Sequence, residues 1–166
     1  MKVLILEERS LEMALATQRL QFLGHEVSHT DKLPPAMAEM RINTPDLLLA
    51  NLFPNAGHGD VESAISVALA GQFRNPDLVT VLLSDSTLFS QGELFSMLSS
   101  LRCVLRRPAD VEDLMEIVTY FLDHGPVDCA PSPDTPDICA KCLLSDHCSR
   151  SSGPKTCVAP PSAAAG

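Results

Sequence analysis

The sequence predicts an α/β domain in which helices cover both faces of a doubly wound, parallel five-stranded sheet. Short apolar runs alternate with helical patterns five times between residues 1 and 125. Strands separated by helix-length connections pair in parallel through right-handed crossovers. The run over residues 47–50 is apolar on both faces, as a central strand covered by helices must be. These observations together predict a three-layer fold.

Each predicted strand is a short run that ends at a polar residue or a turn. The central strand lies between Pro45 and Asn51, so Asn51 is expected at its carboxyl end. In open parallel sheets, ligands and chemistry occur at that end of the central strands. The four other strands are expected over residues 2–6, 25–29, 78–83 and 102–105, with the second at an edge of the sheet.

The predicted helices are bounded by end signals. Ser10 can cap the first helix, and Gly24 supplies the left-handed residue that ends it. The second helix covers residues 31–40, whose Pro-Pro pair fits only the first helical turn. Asp110 caps the fifth helix, and Gly125 ends it.

Apolar residues spaced three or four positions apart indicate which side of each helix faces the core. The third and fourth helices are expected over residues 61–73 and 87–100, the latter interrupted by Gly92. The residues predicted to face inward are Met13, Ala16, Leu20 and Leu23 in the first helix, Ala64, Ile65, Ala68 and Leu69 in the third, and Val111, Leu114, Val118 and Phe121 in the fifth.

The charge balance argues against a nucleic-acid partner. The 166 residues carry a net charge of −9, and residues 1–125 hold 17 acidic against 9 basic side chains. Phosphate binding needs clustered Lys and Arg on one surface. We find neither a run long and apolar enough to span a membrane nor a signal peptide, so we expect a cytoplasmic protein with no membrane contact.

The composition changes after residue 125. Residues 126–166 are rich in Pro, Ser, Ala and Cys and show no helical or strand period, which predicts a separate, irregular tail. Five of the six cysteines lie there, whereas Cys103 is predicted to be a small buried apolar residue of the domain. Disulfides are disfavoured in the cytoplasm, so the tail cysteines point to metal binding.

Five short segments, in order, resemble the receiver domain of bacterial two-component response regulators, the CheY-like family, over nearly all of residues 1–125. They are the acid pair within residues 6–9, the turn at 23–27, the run at 45–49 with a following Pro54 and Gly59, the hydroxyl residue at 84, and Arg-Arg-Pro at 106–108. The resemblance implies a flavodoxin-like sheet of order 2-1-3-4-5 and a cis Arg107–Pro108 peptide. It also implies a non-enzymatic protein, with no catalytic residue, that binds a histidine kinase or a regulator.

The same resemblance places a phosphoacceptor site at Glu7, Glu8, Asn51, Ser84 and Arg107, and this site departs from the family pattern. In receivers an aspartate accepts the phosphoryl group, whereas the amide at position 51 has no nucleophilic carboxylate oxygen. The two glutamates are one methylene longer than the usual aspartates, which disfavours the tight octahedral coordination of Mg²⁺. A planar guanidinium at position 107 is no simple substitute for the usual lysine. The sequence therefore predicts a pseudo-receiver that accepts no phosphate.

Simpler interpretations of these residues stay open. The acid pair can be solvated at a strand end, Asn51 can bond Arg107 or a backbone amide, and Ser84 can be a turn residue. Asp46 and Asp85 are carboxylates that could replace the missing acceptor. The first begins its strand at the opposite edge of the sheet and the second continues into a loop, so phosphotransfer is disfavoured.

The spacing Cys139-x2-Cys142-x5-Cys148 lets three thiolates reach one metal ion or cluster. A fourth ligand is available from Cys129, Cys157 or His147. The segment resembles the cluster-binding segment of oxygen-sensing regulators of the fumarate and nitrate reduction type, and part of the auxiliary-cluster domain of some radical enzymes. That resemblance implies an iron–sulfur cluster. A closed four-ligand zinc site is the main alternative, and a tail without metal is the third.

Two functional interpretations follow. In the first, the receiver-like scaffold is a signalling or assembly module that docks, or forms a homodimer, through its last two helices and the strand between them. The tail then binds a cluster or metal that reports redox state or oxygen. In the second, the cluster carries electrons and the scaffold is a docking domain. A phosphoaccepting response regulator is the least favoured alternative.

Overall fold

The computed structural model describes residues 1–54, 63–85 and 91–124. Within them, five strands alternate with five helices. The strands are β1 (Lys2–Leu6), β2 (Glu26–Thr30), β3 (Leu47–Asn51), β4 (Val79–Ser84) and β5 (Leu101–Arg106). The helices are α1 (Leu11–Phe22), α2 (Leu33–Ile42), α3 (Ile65–Arg74), α4 (Gln91–Met97) and α5 (Val111–His124).

The strands form one parallel sheet in the order β2-β1-β3-β4-β5. All five residues of β3 are buried, because helices cover the central strand on both faces. β2 lies at an edge and is only partly buried. The predicted flavodoxin-like (βα)5 fold is therefore confirmed.

Apolar side chains form a core on each face of the sheet. On one face, Ile5 and Leu49 pack with Leu20 of α1 and Val118 of α5. On the other face, Leu48 and its neighbours pack with α2, α3 and α4. Full burial of such a side chain contributes about 1.5–3 kcal/mol, so the two cores hold the ends of the strands in a fixed relative position.

The helix ends follow the predicted signals. At the start of α1, Ser10 Oγ accepts a hydrogen bond from the Met13 N–H over 3.2 Å. Beyond its end, Gly24 has a φ of +86°, a left-handed conformation that glycine adopts without steric cost. Before α5, Asp110 Oδ1 accepts from the Glu112 N–H over 2.8 Å. In α2 the two prolines lie in the first turn.

Two residues predicted to face the core are exposed instead. Leu23 lies just beyond the last residue of α1, and Leu69 lies on the outer side of α3. Both continue an apolar pattern whose core-facing positions are already filled, by Leu20 and Ala68. The fourth helix also ends at Met97, before the predicted residue 100.

Several predicted features lie outside the described residues. They are the loop at residues 55–59 with Gly59, the first residues of the third and fourth predicted helices, the helix end at Gly125, and the tail with Cys129, Cys139, Cys142, His147, Cys148 and Cys157. The division of the chain near residue 125 therefore stays a prediction. In the described part of the chain, no helix is both long and apolar enough to cross a bilayer.

Candidate functional site

Four of the predicted site residues lie where parallel strands end. Glu7 follows β1, Asn51 ends β3, Ser84 ends β4 and Arg107 follows β5. These strands are neighbours in the sheet and run in the same direction, so their carboxyl ends meet along one edge. The fold thereby brings together residues that are far apart in the sequence.

Glu7 is the centre of the site. Its side chain is only 3% exposed. The Oε1 atom accepts hydrogen bonds from Asn51 Nδ2 at 3.3 Å and from the Glu8 N–H at 2.9 Å, and it lies 3.6 Å from Arg107 Nη1. The Oε2 atom is buried and has no hydrogen-bond partner among the described residues. One oxygen of the buried acid thus accepts two hydrogen bonds and lies near a guanidinium, whereas the other has no partner among the described residues.

Asn51 is held at both ends of its amide. Nδ2 donates to Glu7, and Oδ1 accepts a hydrogen bond from the Phe53 N–H over 3.0 Å. The residue is only 5% exposed, and its bond to Glu7 is buried, whereas the bond from Phe53 is partly buried. Of the two partners expected for this amide, a backbone N–H is the one found. Arg107 instead lies near Oε1 of Glu7, the same atom to which the amide of Asn51 donates.

Arg107 closes the site from the fifth strand. Its side chain is 36% exposed, which weakens the ion pair with Glu7 through solvent screening. Its backbone N–H donates to the Ser84 carbonyl oxygen over 3.1 Å, fixing the end of β5 against the end of β4. The predicted cis Arg107–Pro108 peptide is confirmed.

The two glutamates of the acid pair differ in burial. Glu7 points into the site, whereas Glu8 is exposed and contributes only its backbone N–H. Ser84 is buried at the end of β4. Asp46 lies at the opposite edge of the sheet, where its Oδ2 accepts from the Lys2 N–H over 2.7 Å. Asp85 is exposed.

Two groups around Glu7 were not predicted from the sequence. His29 Nε2 lies 3.0 Å from the Glu7 backbone oxygen, and the Phe53 N–H satisfies Asn51. The position of His29 could have been inferred, since β2 pairs with β1 and His29 is in register with Ile5. The Phe53 contact depends on how the chain turns after β3, which no pattern in the sequence indicates.

The described residues form no cluster suited to a metal ion. In residues 1–54, 63–85 and 91–124, no three His, Cys, Asp or Glu side chains are placed to hold a metal ion together. Cys103 is buried in β5, and desolvation raises the pKa of its thiol to about 12. This matches its predicted role as an apolar core residue.

Comparison with known proteins connects this geometry to solved structures. No protein-family model matches the sequence, and no curated protein matches it. A CheY-like receiver domain protein from Methanospirillum hungatei is 17% identical, with a TM-score of 0.59 over 74% of this chain and 94% of that one. The N-terminal domain of a response regulator/sensory box/GGDEF protein from Carboxydothermus hydrogenoformans is 22% identical, with a TM-score of 0.58 over 75% and 95%.

An orphan response regulator of H. pylori is similar at 19% identity, with a TM-score of 0.57 over 74% of this chain and 96% of that one. At these identities the shared property is the fold. It covers the part of the chain that contains Glu7, Asn51 and Arg107. The domain therefore has the fold of CheY-like response-regulator receiver domains.

Proposed function

We propose that this protein is a phosphorylation-independent, receiver-like signalling module that acts by binding other proteins. The observation that carries this proposal is the buried contact between Asn51 and Glu7. An amide nitrogen there donates a hydrogen bond and has no nucleophilic carboxylate oxygen to offer a phosphoryl group. Because both ends of the amide are engaged, Asn51 needs no ligand to satisfy its hydrogen-bonding groups.

The donor set also argues against Mg²⁺ at this place. Mg²⁺ requires oxygen ligands in near-ideal octahedral geometry. Glu7 carries the one buried carboxyl among the described residues, and its Oε1 already faces two N–H donors and the guanidinium of Arg107. A divalent cation on the unpartnered Oε2 would lie beside the positively charged guanidinium of Arg107, and the described residues offer no second buried carboxylate to complete its coordination. The residues present therefore do not fit the metal that phosphotransfer needs.

In this proposal the domain's own side chains hold the strand ends of the site in a single conformation. Asn51 links β3 to Glu7, and Arg107 links β5 to the same oxygen. In this proposal, information passes through the surface of a folded domain, by docking to a histidine kinase, a regulator or another protein in the cytoplasm. The absence of enzymatic activity belongs to the same proposal.

Acetyl phosphate provides the direct test. The intact chain, incubated with acetyl phosphate and Mg²⁺, is expected to gain no phosphoryl mass. Asn51→Asp restores a carboxylate, yet we expect no uptake, because Arg107 and the longer acid remain. A receiver with an intact aspartate, treated in parallel, verifies the reagent. A gain of one phosphoryl group by the unmodified chain would overturn the proposal.

We further propose that Cys139, Cys142 and Cys148 bind an iron–sulfur cluster or zinc, with Cys129, Cys157 or His147 as the fourth ligand. The support is their spacing in the sequence, since all of them lie outside the described residues. Anaerobic purification followed by visible absorption and metal analysis separates the two metals. Cys139→Ser is expected to remove the metal and leave the melting temperature of the domain nearly unchanged.

The same preparation tests the electron-transfer alternative. A sensor cluster is expected to degrade in air and to change oligomeric state or partner affinity. An electron carrier is expected to cycle reversibly between oxidised and reduced forms with neither change. Loss of the visible absorption without any change in association would favour a structural role for the tail.

A further inference from the structure

Helix α1 carries apolar side chains on two opposite sides. Its inner side packs against the sheet. On its outer side Leu11 is 73% exposed and Phe22 is 90% exposed, with Leu15 between them also exposed. Single exposed apolar residues are ordinary, but several large ones along one line indicate an interaction surface.

The spacing on this outer side is that of a helix–helix contact. Leu11, Leu15, Gln18 and Phe22 are separated by four, three and four positions, and we call these four residues the outer seam. At 3.6 residues per turn they lie along one side of the helix. The alternation of four and three is the spacing by which two helices pack side by side in a coiled coil.

We propose that the outer seam binds the outer seam of a second copy of this chain, as an antiparallel pair of α1 helices. The spacing reads the same in both directions, so a two-fold axis can lie between Leu15 and Gln18. Phe22 then packs on the partner's Leu11, and Gln18 faces the partner's Leu15. Such an isologous contact closes at two subunits.

Charge complementarity supports a second copy of this chain as the partner that binds the outer seam. Glu12 and Arg19 are seven positions apart and border the seam on the same side. The guanidinium is held there by two bonds to Glu112 of α5, at 2.7 and 2.6 Å. Antiparallel pairing places Glu12 beside the partner's Arg19, and the two-fold axis repeats this attraction. The seam itself carries no charge, although the chain has a net charge of −9 that opposes self-association elsewhere.

The size of the surface sets the strength of this contact. A helix of 12 residues is about 18 Å long at 1.5 Å per residue, so the pair buries less than the standard 1,200–2,000 Å² or so. We therefore expect a reversible dimer with a Kd of roughly 10–100 μM. Gln18 adds a polar group at the centre of the seam, which lowers affinity and favours one register.

Sedimentation velocity of the full chain, from about 5 to 500 μM with a reductant present, brackets this range. Phe22→Glu is expected to raise the dimer Kd at least about tenfold, because it buries a charge in the seam. Phe73→Glu is the matched control, since Phe73 is also 90% exposed but lies on α3, across the sheet. Gln18→Leu is expected to lower the Kd.

A charge exchange tests the symmetry. Glu12→Arg and Arg19→Glu each place like charges opposite one another in the homodimer, so each variant alone is expected to be monomeric. An equimolar mixture is expected to form a heterodimer, in which both contacts are attractive again. A monomer at every concentration, or a dimer that persists unchanged in Phe22→Glu, would overturn the proposal. Failure of the mixture to associate would also contradict it.

Discussion

Asn51 donates an amide N–H to Oε1 of Glu7 over 3.3 Å, and both side chains are almost fully buried. An aspartate at position 51 would instead bring two carboxyl groups together in a site from which water is largely excluded. Like charges at that distance disfavour joint ionisation. Asn51 and Glu7 are therefore a compatible pair, because an amide at position 51 donates to the buried carboxylate where a second carboxylate would repel it.

We expect Asn51→Asp to destabilise the domain by about 1–3 kcal/mol at neutral pH, because it replaces a buried hydrogen bond with a carboxyl–carboxyl contact. Urea unfolding followed by circular dichroism measures this loss. The double variant Glu7→Gln, Asn51→Asp is expected to recover more than half of it, since the new amide can donate to the new carboxylate.

Asn43→Asp provides the matched control for that substitution. Asn43 Nδ2 also donates to a glutamate, Glu39 Oε1, over 2.8 Å, but this pair is only half-buried. Solvent screening should make its loss clearly smaller than that of the buried pair. Equal losses at the two positions would contradict a special role for burial at Asn51.

Arg107 and Asn51, the two side-chain partners of Glu7, are expected to contribute unequally to the stability of the domain. Arg107→Ala should cost no more than about 1 kcal/mol, because the guanidinium is partly exposed and its 3.6 Å ion pair is long. Asn51→Ala should cost about 2 kcal/mol, since it removes a buried hydrogen bond to Glu7 and the bond that Asn51 accepts from the Phe53 N–H. Thermal unfolding of both variants ranks them, and a larger loss for Arg107→Ala would reverse this assignment.

The sheet and the site edge could be predicted because their signals are local. The run at residues 47–50 is apolar on both faces and is followed by Asn51. Neighbouring residues therefore indicate both the burial of this strand and its polar end. Once the strands are parallel, the meeting of Glu7, Asn51 and Arg107 follows from topology.

The sequence did not indicate which apolar residues of a helix are left exposed once the core is packed. Leu69 continues an apolar stripe, yet the adjacent Ala68 fills the inner position and leaves Leu69 outside. Leu11 and Phe22 likewise have the spacing of a core face, but the sheet is already covered by the other side of α1. In α1 the side predicted from Met13, Ala16 and Leu20 is the one that packs on the sheet, whereas the second apolar side was not predicted.

Cys103 gives a prediction in alkaline solution. Burial raises the pKa of its thiol from 9.0 to about 12, which means that the folded state favours the protonated form. Its contribution to stability is fully present below pH 9 and is lost as the pH rises towards 12. At 1.36 kcal/mol per unit, the unmodified chain should lose about 2 kcal/mol more than Cys103→Val between pH 8 and 10.5. Urea unfolding of the two proteins at both pH values measures the difference.

The same burial predicts low reactivity. At neutral pH, iodoacetamide should leave Cys103 unmodified in the folded protein and alkylate it in urea, because the thiolate is the reacting species. Mass spectrometry of the peptide that contains residue 103 distinguishes this cysteine from those of the tail. Rapid alkylation in the native state would show that β5 opens readily.

Gly71 of α3 lies close to the side chains of Met40 in α2 and Leu78 before β4. A Cβ atom added there would lie 2.7 Å from both Leu78 Cδ2 and Met40 Sδ. Gly71→Ala is therefore expected to destabilise the domain by about 1–2 kcal/mol, although alanine favours a helix over glycine by about 1 kcal/mol. The double variant Gly71→Ala, Met40→Ala should cost less than the sum of the two single changes, because the shortened side chain frees space. Urea unfolding of the three variants tests this. A stabilised Gly71→Ala protein would show that α2 and α3 separate without cost.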